Sequence, residues 1–444
     1  MSPPASVLSQ SVRRPFRLAH FSDPHVLHTT SRWGLLRTCI RPALTSHKRF
    51  LGLLNLVFKR GPHTFNRRLL THGLADCQAL RPSPLQTAYL STIPTSASGE
   101  LPPINGVDHI VISGDITNLA TRSEFATAAD LLERAGLSSG DRLSLIPGNH
   151  DIYVPDSLVD RFFHRFFGQY MSSFSIPPRS PTPMLKHEDA STVASRDLGA
   201  SLTTSVAPAV SGAVPHEEAE RQGLLPKGDQ KDPTAGTLSG AILSGGALEH
   251  QGFPYERPLP EHGVLIVGLS SAVPQRPHYA GGLLGKGQLD RLDAILKRPE
   301  YADMFKVVMV HHPPVPRYNN PNREQRDGLL DQEELCRILR LHRVDLTLNG
   351  HMHRTYFEPL PDTPTYSDGS PQSWVGEPGS CTFNSNYGPM RARYNIYEIA
   401  DGRVQRVVSR FFVTPRDAAQ EEKFSEHMLD EEVLYEAPNY VCQD

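Results

Sequence analysis

Five short apolar runs, each ending in a cluster of aspartate, asparagine or histidine, constrain this 444-residue chain more than any other feature. Phe16 to Phe21 leads into Ser22-Asp23-Pro24-His25, and Val107 to Ser113 into Gly114-Asp115-Ile116-Thr117-Asn118. Arg142 to Ile146 leads into Pro147-Gly148-Asn149-His150-Asp151. Lys306 to Val310 ends in His311-His312-Pro313-Pro314, and Val344 to Leu348 in Asn349-Gly350-His351-Met352-His353. Runs this short, rich in β-branched residues and closed by Gly or Pro, read as buried strands. Open α/β sheets place their chemistry just beyond the carboxyl ends of such strands. Any one block, taken alone, is equally a turn or a helix cap. Five in one chain are hard to explain as five unrelated turns.

The residue types suit a cation. In an extended segment, residues two apart project to one side, so Asp23 with His25, and His351 with His353, can each converge on one ion. The His-x-His pair is the strongest single signal. The set offers carboxylate, amide oxygen and imidazole but no thiolate, which favours Mn, Fe or Zn. The five cysteines (Cys39, Cys77, Cys336, Cys381, Cys442) are odd in number and scattered, so neither a disulfide framework nor a thiolate zinc site is expected.

Between the first two blocks, the stretch from His28 to about Leu74 carries nine Lys or Arg residues and no acid. Trp33, Leu35, Leu36, Phe50, Leu51, Leu53, Leu54, Leu56, Val57 and Phe58 are interleaved with them. Such a cationic, amphipathic segment could lie on an anionic membrane through residues 31–70. Equally, its apolar face could pack on the domain with the arginines in solvent. Asn66 to Leu80 reads as a helix and Arg81 to Asn105 as a loop. Further helices are expected at 121–135, where Thr121 and Glu124 suit a capping box, at 162–170, at 288–296, and after Asp331 as N-cap. Tyr394 to Ile399 and Val404 to Phe412, joined by Asp401-Gly402, read as a hairpin.

The expected organisation is a catalytic domain over 1–412, with a basic, apolar insertion at 28–105 and a disordered, Ser/Pro/Gly-rich insertion at 172–250. An acidic tail, 413–444, would end in a short helix and could screen the basic stretch. The formal net charge of −3 gives no reason to expect nucleic acid as partner. Without a secretory leader or a bilayer-length apolar run, a cytoplasmic protein is expected, at most peripheral to the inner membrane face.

The ordered set Asp-x-His, Gly-Asp-x-x-Asn, Gly-Asn-His-Asp, His-His-Pro-Pro and Gly-His-x-His resembles the calcineurin-like metallophosphoesterase superfamily, in its bacterial phosphodiesterase-like branch. The resemblance spans Phe16 to Ile399, interrupted by the two insertions. It implies an α/β fold, a four-layer α/β/β/α sandwich with two metals at the strand ends. It implies that Asp23, His25 and His353 hold one metal, that Asn149, His311 and His351 hold the other, and that Asp115 bridges them. His150 would be catalytic beside the phosphate, with Asn149 and Asn118 touching substrate, and His312 would be a neighbour rather than a ligand. The implied activity is hydrolysis of phosphate esters, phosphodiesters foremost, by a metal-bridging hydroxide. Two alternatives stand beside it: a membrane-associated hydrolase of a nucleotide-linked lipid pyrophosphate, and a non-catalytic scaffold on the same fold.

Overall fold

Short apolar runs, buried on both faces, form the centres of two sheets. The computed structural model describes residues 14–61, 64–92, 106–171, 252–385, 390–413, 429–438 and 440. The expected insertion at 172–250 therefore lies outside the described residues. Twelve strands occur among them: β1 (Phe16–Phe21), β2 (His109–Ile112), β3 (Leu143–Leu145), β4 (Tyr255–Leu259), β5 (Val264–Gly268), β6 (Phe305–Met309), β7 (Leu346–Leu348), β8 (Thr355–Pro359), β9 (Trp374–Pro378), β10 (Arg393–Ala400), β11 (Arg403–Phe412) and β12 (Leu429–Glu436). One sheet runs β12-β11-β10-β1-β2-β3 and the other β4-β5-β6-β7-β9-β8. Each has a parallel centre: β1, β2 and β3 in the first, and β5, β6, β7 and β9 in the second.

Parallel strands are buried on both faces, and β5 shows how. Val264 and Ile266 join the larger core with Leu18, Ile110 and Met309, while Leu265 and Val267 face a second core. That second core is closed by the helices Lys286–Leu296 and Gln332–Leu341, through Leu289, Leu292, Leu335 and Leu339. On the first sheet, Leu70 and Leu74 of helix Arg67–Ala79 and Phe125 and Leu132 of helix Arg122–Arg134 complete the larger core. The four expected layers are all present.

The five runs that end in candidate ligands are β1, β2, β3, β6 and β7. The hairpin β10–β11 turns at Asp401 and Gly402, both with positive φ, as a two-residue hairpin turn requires. The capping box of Thr121 and Glu124 is formed.

Three local expectations change. Pro84–Thr92 is a helix rather than loop, because Ser83 and Gln86 cap it reciprocally around a proline at its start. Asp331 stands at the start of helix Gln332–Leu341, but its carboxylate accepts from the backbone N–H groups of Leu284 and Gly285 instead of capping. The expected C-terminal helix is strand β12 where the tail is described. Its acids lie against arginines: Glu431 with Arg410 (2.7 Å), Glu432 with Arg393 (3.6 Å) and Glu436 with Arg406 (3.5 Å). Cross-strand charge pairing overrides the poor strand propensity of Asp and Glu. These carboxylates therefore meet β10 and β11 rather than the basic stretch.

That stretch forms helices Arg32–Leu44 and His47–Leu54 and a π-helical turn, Asn55–Arg60. Leu35, Cys39, Ala43, Leu53, Leu56 and Val57 share a small core with Leu27 and Leu119, so this face packs on the domain. Cys39, Cys77, Cys336 and Cys381 are free and buried. No described helix is long and apolar enough to cross a membrane.

Candidate metal centre

Register brings the ligand blocks to one level. Phe21 pairs with Ile112 and Ile112 with Leu145, while Met309 pairs with Leu348, so the loops that follow leave each sheet together. The backbone then turns sharply. Asp23, His25, Asp115, His351 and His353 all adopt positive φ, a region that non-glycine residues rarely occupy. Such strain persists only where surrounding contacts over-determine it, and it concentrates at functional sites.

Asp23, His25, Asp115 and His353 place one ligand atom each within 4.8 Å of one another. His25 Nε2 faces His353 Nε2 at 3.1 Å, and His353 Nε2 lies 3.2 Å from Asp23 Oδ1. Burial holds the His25 imidazole well below its ordinary pKa, so it is neutral.

A second group forms around Asn149. His311 donates from Nδ1 to the Ser113 carbonyl (2.8 Å), which leaves its Nε2 3.1 Å from Asn149 Oδ1. His351 meets the Asp327 carbonyl through Nε2 (2.8 Å), which leaves its Nδ1 3.0 Å from the same oxygen. Three lone pairs thus point at one spot, an arrangement that repels itself unless a cation or a proton sits between them. Burial opposes a charge on His311, but the carboxylates of Asp115 and Asp23 lift its pKa to about 10, so the surroundings favour positive charge at this spot. A metal ion supplies the same positive charge, and the donor set fits one.

Asp115 stands between the groups. Its Oδ2 lies 3.6 Å from His25 Nε2, its Oδ1 lies 3.5 Å from His311 Nε2, and Oδ1 also accepts from the His150 backbone N–H (2.7 Å). His312 is different. Its ring nitrogens bond Ser271 Oγ and the Ala280 carbonyl, both at 2.8 Å, so it keeps no lone pair for an ion.

The supports were not singled out in the sequence. Ser22 Oγ donates to Asp23 Oδ2 (2.6 Å) and accepts from Ser113 Oγ (2.8 Å), which in turn meets His20 Nε2 (2.8 Å). Asp151 accepts from the N–H groups of Ile116, Thr117 and Gly148 and from Thr117 Oγ1, tying the Asp115 loop to the Asn149 loop. The fourth position of Gly-Asn-His-Asp was the signal that could have found it. At Gly148 a Cβ would sit 2.2 Å from Asp115 Oδ1, so only glycine allows this approach. Phe65 covers the rings of His25 and His353, at 4.4 and 6.0 Å between centroids.

His150 meets the Asn118 carbonyl through Nδ1 (2.6 Å) and stacks on Tyr153 at 5.1 Å. The Asn118 side-chain Nδ2 is buried without a partner among the described residues. Both residues, with Asp115, Asn149, His351 and His353, line a cavity of about 1160 Å³. All the expected site residues are therefore gathered in one place.

No protein-family model and no curated protein matches the chain. Among solved structures, it is similar to a purple acid phosphatase from yellow lupin (Lupinus luteus) seeds, at 10% identity and a TM-score of 0.41, over 90% of this chain and 52% of that one. The chain thus spans about half the length of that structure. It is also similar to a Streptococcus pneumoniae protein described as a predicted phosphoesterase, at 9% identity and TM-score 0.26, over 94% of this chain and 98% of that one. A third likeness is to PhoD, at 7% identity and TM-score 0.35, over 91% and 67%. The two six-stranded sheets with their flanking helices form an α/β/β/α sandwich, and the Asp, Asn and His clusters lie at its strand ends.

Proposed function

We propose that this chain is a metal-dependent hydrolase of phosphoric esters, with phosphodiesters as its first substrates. The observation that carries the reading is the Asp115 carboxylate, which turns one oxygen towards each group of imidazoles. Two cations of the Mn, Fe or Zn type, when bound, would supply Lewis acidity towards phosphoryl oxygens and an acidified water. Asp23, His25 and His353 would hold one, Asn149, His311 and His351 the other, and Asp115 both. His150 donates its Nδ1–H to the Asn118 carbonyl, which orients the ring, and burial lowers its pKa, so Nε2 presents a lone pair that would take up a proton before passing it to the leaving oxygen. The unpartnered Asn118 amide is a donor for a phosphoryl oxygen.

The test is turnover of bis(p-nitrophenyl) phosphate by the protein loaded with manganese, iron or zinc. A panel of cyclic nucleotides, glycerophosphodiesters, nucleotide-linked lipids and phosphomonoesters then ranks substrates. No turnover of any of them with any of the three metals would remove the hydrolase reading and leave the scaffold alternative.

A second reading, that the substrate resides in an anionic lipid surface, is favoured by one observation. Trp33, Arg37, Arg41 and Leu44 form an exposed face of helix Arg32–Leu44, with Trp33 82% and Leu44 72% accessible. Aromatic and aliphatic side chains beside arginines suit an anionic interface.

A further inference from the structure

The cavity is far larger than one phosphoryl group requires, and sites of 300–1,000 Å³ take ligands of drug or cofactor size. One wall comes from the inserted segment His47–Arg60, which has two faces. Arg49, Leu53 and Val57 are buried against the domain. Lys48, Leu51, Asn55, Phe58, Lys59 and Arg60 line the cavity instead. Lys48 and Arg60 form no ion pair among the described residues, and the Lys48 ammonium has only the Tyr279 carbonyl at 3.4 Å as hydrogen-bond acceptor. That ammonium sits 4.5 Å from the centre of the Tyr153 ring, which stacks on the catalytic candidate His150. A half-buried cation in no contact ion pair, with the Asp115 carboxylate as its counter-charge at longer range and one ring away from His150, is suited to an anion that the substrate brings.

We propose that Lys48 and Arg60 form a subsite for a second anionic group of the substrate, so that the preferred substrates are phosphoric esters or anhydrides carrying a further phosphate. This rests on the phosphoester reading above. Leu51 and Phe58 supply apolar contact for the organic part between or beyond the two charges.

The test is titration calorimetry of the manganese-loaded full chain with propane-1,3-diyl bisphosphate and with propyl phosphate. Wild type is expected to favour the bisphosphate by about tenfold, the worth of one charge-assisted hydrogen bond. Lys48→Met should remove most of that preference. Arg60→Gln, at an exposed position that cannot unfold the domain, should reduce it about threefold. A preference absent from wild type, or retained in both variants, overturns the subsite. Turnover of bis(p-nitrophenyl) phosphate by wild type separates the two ideas. Turnover without bisphosphate preference sinks only the subsite, while preference without turnover sinks only the hydrolase.

Discussion

A carboxylate that serves two clusters cannot be replaced by a neutral group without releasing both. Asp115→Ala is expected to lower phosphodiester turnover on the order of 10³-fold or more, with loss of bound manganese by elemental analysis. His351→Ala should behave alike, since its Nδ1 faces the same spot as Asn149 and His311. Unchanged turnover in either variant would contradict the assignment. Asp151 touches none of the imidazoles yet receives four donors from two ligand loops. Asp151→Ala should therefore weaken manganese binding by roughly 10–100-fold, the usual cost of losing a group that orients ligands. Native circular dichroism at the assay temperature would show that this is not unfolding.

At the scale of the element, Arg49 decides where the inserted helix His47–Leu54 sits. Its buried guanidinium donates to the carbonyls of Leu119 (3.0 Å) and Ala120 (3.1 Å) and pairs with Asp156 (2.6 Å). Arg49→Met should cost about 2–4 kcal/mol in denaturant unfolding, because two buried carbonyls lose charged donors. Helix Arg122–Arg134 carries a pH signature. Burial raises Glu124, despite its bonds from Leu119 and Thr121 N–H, from the ordinary 4.5 to about 7. Its contribution to stability is complete below pH 4.5 and is lost as pH climbs through about 7. Glu124→Gln removes that titration. The stability of wild type relative to the variant should then fall by roughly 2–3 kcal/mol between pH 4 and pH 8, and a flat difference would refute the assignment. The exposed face of helix Arg32–Leu44 gives the lipid reading its own check. Sedimentation with phosphatidylglycerol vesicles at low salt should weaken as salt rises and in Trp33→Ser, and no sedimentation at low salt would remove that reading.

For the whole molecule, the candidate ligands arise from five loops on both sheets, so a bound ion would join the two halves of the larger core. Saturating manganese at about 100 times its dissociation constant should stabilise the chain by about 2.7 kcal/mol, and a chelator should reverse the rise in Tm. The strands and the candidate ligand types were legible in the sequence because both are local: a short apolar run marks β1, β2, β6 and β7, and Gly or Pro follows within a few residues. The convergence of His311, His351 and Asn149 on one spot depends on the pairing of Met309 with Leu348 and on the packing of one sheet over the other. No local pattern encodes such distances. The same holds for the positive φ of Asp23, His25, Asp115, His351 and His353, which tertiary contacts impose against their intrinsic preference. It holds too for β12, whose acidic residues become a strand only beside the arginines of β10 and β11. Sequence by itself determined which chemistry the chain can offer and on which strand ends. The tertiary structure decided which lone pairs meet, which face of the inserted helix turns to the cavity, and which histidine is left out, because those depend on contacts between residues tens to hundreds of positions apart.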